Sequence, residues 1–66
     1  MIGKLLTPRE EEIARFVASG LSNKEIARMA SISVGNVKIH LHRSCQKLGI
    51  ANRAALAVMA SSGALF

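Results

Sequence analysis

Two serines, Ser22 and Ser33, each have the chemistry of a helix start, and they stand only eleven residues apart. Ser22 is followed at the third position by Glu25, so its hydroxyl can accept the Glu25 N–H while the carboxylate accepts the Ser22 N–H. A short helix should begin there, turning Ile26, Ala27, Met29 and Ala30 toward a core and leaving Lys24, Glu25 and Arg28 in water. Ser31 breaks that pattern, Ile32 reads as a buried plug in the turn, and Ser33 opens the next helix. A short helix, a tight turn and a second helix are therefore dictated before anything else is known: the layout of a helix-turn-helix.

The second of these helices, from Ser33 to Leu48, is two-faced. At about 100° per residue, Val34, Val37, Leu41, Ser44 and Leu48 share one sector, with Cys45 at its margin. The opposite arc carries Asn36, Lys38, Ile39, His40, His42, Arg43, Gln46 and Lys47, and no acid. An ordinary solvated face mixes signs to gain pairs one turn apart, so this one suits a phosphate-lined groove instead. Net charge agrees. Residues 1–19 balance Lys4, Arg9 and Arg15 against Glu10, Glu11 and Glu12, whereas residues 20–66 set six basic residues against Glu25 alone and hold the whole +5. Localised positive potential of this kind attracts a polyanion; nucleic acid is the leading partner and an acidic membrane surface the weaker one.

Two more helices complete the pattern. Thr7, Pro8, Arg9 and Glu10 make a second capping box with proline at the first helical position, and Ile13, Phe16 and Val17 mark the buried side, joined by Leu5 or Leu6. Gly20 and Gly49 have the chemistry of helix ends with positive φ, after which Leu21 and Ile50 should tuck back inside. Asn52 can cap a last helix whose Leu56, Met59 and Ala60 form an apolar face. Ala54, Ala55, Ala57 and Val58 fill much of its remainder, which leaves an apolar surface suited to another protein, or simply reflects alanine's ease in helices. The expected fold is all-α: one compact four-helix domain over residues 1–66, with helices at about 8–19, 23–30, 34–48 and 53–61. No segment alternates with the two-residue period of a strand.

Several function classes are disfavoured. Glu10, Glu11 and Glu12 have no partner base or metal-binding set beside them, so catalysis is not expected. His40 and His42 lie about 200° apart around a helix, His42 and Cys45 are only two ligands, and a lone cysteine makes no internal disulfide. No cofactor or metal is expected. No leader is read at Met1 and no apolar run reaches the roughly 20 residues of a membrane span, so a soluble, cytoplasmic chain is expected. Gly35, in the first turn of the basic helix, either admits close approach of a partner or is merely tolerated.

Across these elements, LTPRE at 6–10, GLSNKEIA at 20–27, IS followed by VK and H at 32–40, and KLGI with NR at 47–53 come in an order that resembles the LuxR-type (GerE-type) helix-turn-helix domain of bacterial transcription regulators. The resemblance implies a third helix in the major groove and a fourth that mediates dimerisation, hence sequence-specific binding of double-stranded DNA as a homodimer. Lys38, Ile39 and His42 would face base edges; Asn36, His40, Arg43 and Lys47 the flanking phosphates; and Asn23 and Lys24 the backbone near the second helix. Ala54, Ala55 and Val58 would form the dimer surface. Arg53 would bind phosphate or pair with a carboxylate of the first two helices. A regulatory domain or RNA polymerase would be a further partner. Asn36, Ala30, Ser44 and Cys45 depart from the family pattern, which more often has threonine, a larger aliphatic, an aliphatic and an aromatic there; the smaller core volume implies modest stability. The rival reading keeps the fold but makes the chain a protein-interaction module that heterodimerises with a larger regulator and inhibits it.

Overall fold

Each of the four helices begins where a side-chain oxygen takes up the N–H of its third residue. The computed structural model describes residues 6–63, and among them α1 is Pro8–Ala18, α2 Asn23–Ala30, α3 Val34–Leu48 and α4 Arg53–Ser61. Both capping boxes are complete: Thr7 and Glu10 exchange bonds of 2.9 and 3.2 Å, as do Ser22 and Glu25. Ser33 Oγ accepts from Asn36 at 3.1 Å and Asn52 Oδ1 from Ala55 at 2.9 Å. Such caps satisfy N–H groups that have no partner inside the helix. Only one helix boundary shifts from the sequence expectation, since Ser19 caps α1 instead of continuing it. Leu5 and residues 64–66 lie outside the described residues.

The first three helices close in one manner. Gly20, Ser31 and Gly49 take left-handed φ values of 84°, 58° and 67°. The residue after each, Leu21, Ile32 and Ile50, donates its N–H to the carbonyl five residues back, at Phe16, Ala27 and Cys45. This double closure folds the apolar residue that follows back onto the core, and all three are half-buried against it. Ser31 is the one non-glycine with positive φ among the described residues. Left-handed backbone strains a residue bearing Cβ by about 1–2 kcal/mol, against some 0.5–1 kcal/mol that glycine loses in unfolded-state entropy. Ser31→Gly is accordingly expected to stabilise the fold by about 0.5–1 kcal/mol, seen as a higher urea midpoint at unchanged slope.

α1 lies at the centre, packed against α2, α3 and α4, while α3 also packs against α2 and α4. Ala14 joins Leu6, Leu56 and Ala60 in one buried cluster; Ile13 and Val17 join Ile26, Ala27 and Val37 in the other. Leu41 of α3 touches both. Ser44 is 1 % exposed, and its hydroxyl is satisfied by donating to the His40 carbonyl at 2.8 Å. Of the residues able to fill space left by the small side chains, Phe16 and Met59 pack on the core. Met29 does not: it is 63 % exposed, a correction to the sequence expectation. The buried sector of α2 runs from Ile26 through Ala30 to Ala27, and Met29 falls about 60° outside it on the far side of Ile26. Val34, 37 % exposed at the first turn of α3, likewise sits at the edge of the core instead of in it.

Arg9 adds a tie invisible to local pattern. Its Nη1 donates to the Ala30 carbonyl at 2.8 Å and to Glu12 at 3.1 Å, placing a cation where the C-terminal carbonyls of α2 collect negative potential. No helix among the described residues is long and apolar enough to cross a membrane.

Candidate nucleic-acid interface

Packing of one side of α3 leaves its other side bare. Asn36, Lys38, Ile39, His42, Arg43, Gln46 and Lys47 are exposed. The first turn holds no acid. Ile39, 48 % exposed, is an aliphatic side chain presented outward between charged neighbours, where it could meet a thymine methyl or exclude water from a groove floor. Gly35 is exposed, and a Cβ added there would meet only the Ser33 hydroxyl, at 3.8 Å. Nothing inside the domain requires a glycine at that point; its effect is to leave the backbone of the first turn uncovered on the exposed side.

His40 differs from its neighbours. It is half-buried on the flank of α3, and its Nδ1 is shielded from solvent without a hydrogen-bond partner. Lys47, expected to face phosphate, is engaged within the domain: its Nζ donates to Glu10 Oε1 at 2.7 Å, and Glu10 is 3 % exposed. The pair ties the last turn of α3 to the first turn of α1. Burial by itself pushes the Glu10 carboxyl up, but the Lys47 ammonium and the Thr7 N–H together outweigh it and hold Glu10 below its ordinary value of 4.5. A carboxyl with a depressed folded-state value stabilises above its unfolded value and loses that contribution as pH falls through the folded one. Stability should therefore decline on acidification below about pH 4.5. Glu10→Gln, which can still accept the Thr7 N–H, should flatten that decline when urea midpoints are compared across pH. Some slope should remain from Glu25, held low by the Ser22 N–H and then the Ser22 hydroxyl.

Beside the start of α3 lies a groove of about 680 Å³ lined by residues 20–25, Val34, Lys38 and Arg53. Asn23 and Lys24, the first residues of α2, stand in its wall, so the structure brings both together with Lys38. Arg53 reaches in from α4. Its guanidinium donates to Asn23 Oδ1 and to the Leu21 carbonyl. The expected carboxylate is not its partner within the domain: Arg53 is paired with neutral acceptors at the lip of α2. The reason is tertiary: the turn after Gly49 swings the first residue of α4 across to the start of α2.

On α4, Ala54 and Val58 are exposed, Val58 by 66 %, while Ala55 is half-buried. Cys45 is half-buried with Sγ 3.8 Å from the Asn52 carbonyl, and burial pushes its thiol up, away from reactivity. Sequence reasoning missed Glu10 as the partner of Lys47 and Arg9 as the cap of α2. Both join residues more than 20 positions apart, and no spacing rule signals such a pair.

The profile of bacterial regulatory proteins of the luxR family matches residues 4–60. The nitrate/nitrite response regulator protein NarL of Escherichia coli strain K12 is 38% identical over 61 residues, covering 92% of this chain and 28% of that protein. The nitrate/nitrite response regulator protein homolog of Haemophilus influenzae is 43% identical over 54 residues, 82% of this chain and 26% of the relative. The transcriptional activator protein CarR of Pectobacterium carotovorum is 44% identical over 48 residues, 73% and 20% respectively. The chain thus spans about a quarter of the length of these relatives. No solved structure matches it.

Proposed function

From the premise that this chain belongs to the luxR family of bacterial regulatory proteins, DNA-binding transcription regulators and not enzymes, we propose that it reads double-stranded DNA by seating α3 in the major groove. The observation that carries this reading is the outward, acid-free face of α3. On it, Lys38, Ile39 and His42 are the base-contacting residues, with lysine able to bond guanine acceptors. Asn36, His40 and Arg43 face the flanking phosphates, with Asn23 and Lys24 approaching the backbone from the start of α2. Lys47 belongs to the phosphate set only as far as its bond to Glu10 lets it reach outward.

Two copies acting together would extend this thin direct readout to two half-sites about one helical turn apart. The exposed Ala54 and Val58, with Ala55 beside them, supply an apolar surface for such a pairing. A regulatory domain or RNA polymerase, met in the cytoplasm, is the further partner proposed. No membrane role is proposed.

Fluorescence anisotropy with duplexes selected from a random pool, repeated across salt concentrations, tests the proposal. Two cationic phosphate contacts per copy, Lys24 and Arg43, predict a slope of log K against log salt of about −2. Absence of binding to any duplex at low salt would overturn it and favour the rival module that inhibits a larger regulator through α4.

A further inference from the structure

We infer that Arg53 is a positioning residue for DNA docking: it holds the Asn23 carboxamide by its oxygen, so that the Nδ2 group is what α2 offers to a phosphate. This rests on the proposed docking of Asn23 against the DNA backbone.

The argument begins with the guanidinium. It is planar, with five N–H donors in a fixed fork, and here two of its nitrogens are each committed to a different acceptor. One is the Leu21 carbonyl, part of the turn that precedes α2; the other is Asn23 Oδ1 on the first residue of that helix. The backbone acceptor is fixed by the closure of α1, since the Leu21 N–H is itself bonded to the Phe16 carbonyl at 3.2 Å. With one nitrogen anchored on a rigid carbonyl, the plane of the guanidinium is set, and the second nitrogen selects the oxygen end of the carboxamide.

That selection matters because the two ends of an asparagine side chain are opposite in kind. The oxygen only accepts, and a phosphate also only accepts, so an outward Oδ1 would repel the DNA backbone. The NH₂ end donates twice. An unanchored Asn23 could rotate between the two presentations and would have to be ordered on binding. Lys24 and Lys38, on the same groove, need no such help, because an ammonium donates in every rotamer. Arg53 is the first residue of α4, immediately before Ala54. The orientation of a side chain on α2 is therefore set from the helix that bears the proposed dimer surface.

The test uses the whole chain with Arg53→Gln, Arg53→Lys, Asn23→Ala and the double variant Arg53→Gln with Asn23→Ala. Two readouts are taken: duplex affinity across salt, and the relaxation of the Asn23 side-chain NH₂ in the DNA-free protein by ¹⁵N NMR. Arg53→Gln and Asn23→Ala are each expected to weaken binding by about tenfold, the size of one hydrogen bond to a charged group. The double variant should be no weaker than either single one, because both remove the same interaction. Arg53→Lys, which keeps the charge but not the fork, should fall with Arg53→Gln. The salt slope should stay unchanged, and the Asn23 NH₂ should become more mobile whenever Arg53 is replaced.

Additive losses in the double variant would overturn the inference. So would a slope reduced by about 0.9 in Arg53→Gln with wild-type affinity in Arg53→Lys, which would make Arg53 a direct phosphate ligand. An Asn23 NH₂ equally mobile with and without Arg53 would overturn it without reference to DNA. Failure of the unsubstituted chain to bind any duplex would instead sink the DNA reading, while the NMR comparison still decides the Arg53–Asn23 arrangement.

Discussion

Leu56→Ala is expected to leave the chain largely unfolded at 25 °C. Leu56 is fully buried in the cluster with Leu6, Ala14 and Ala60, and Leu41, Leu48, Ile50 and Met59 pack against that cluster. Removing a buried leucine side chain costs about 2–5 kcal/mol, part transfer and part cavity. A core in a domain this small rarely supplies more than about 3–5 kcal/mol in all. The loss would therefore match the whole stability of the fold, and α4 would come away from α1, the helix around which the others pack. Circular dichroism with urea titration checks it: a sloping, uncooperative signal is expected for Leu56→Ala, and a near-native transition for Leu56→Met, which conserves volume. A cooperative transition for the alanine variant displaced by less than about 1 kcal/mol would mean that α4 contributes little to the core.

Lys38→Ala should have the largest effect on DNA recognition, weakening the preferred duplex by about 1–3 kcal/mol while relaxing its sequence preference. Arg43→Ala should weaken all sequences alike and lower the salt slope by about 0.9. The contrast comes from position on α3. The two cations stand about 140° apart around the helix, with His42 and Ile39 between them. Lys38 borders the groove at the start of α2, whereas Arg43 lies on the other flank. Competition binding against randomised duplexes separates the two outcomes. Equal losses of affinity and specificity at both positions would show that the face has been divided wrongly.

Where each helix begins and ends could be read from the sequence because those decisions are local. A capping oxygen, a carboxylate three residues on and a residue able to take positive φ lie within one turn of the atoms they satisfy. The basic face of α3 was legible for the same reason, being a matter of angle along one helix. Lys47, Arg53 and Arg9 were not. Lys47 and Arg43 look alike as cations near one edge of a helix, and only the approach of α1 gives one of them a buried carboxylate at 2.7 Å. Arg53 could be seen to want acceptors, but that they are a carbonyl and a carboxamide at the start of α2 depends on how the chain turns after Gly49. Met29 failed differently: its spacing suits an amphipathic helix, yet α2 is eight residues long and buries a sector narrower than the apolar pattern suggests.

Leu6 and Ala60 meet in one buried cluster, although they lie near opposite ends of the described chain. The two ends of the described chain are consequently held together where α1 and α4 adjoin. Removing residues at either end of the described chain should therefore loosen α1 and α4 together, because both ends contribute to the one cluster between them.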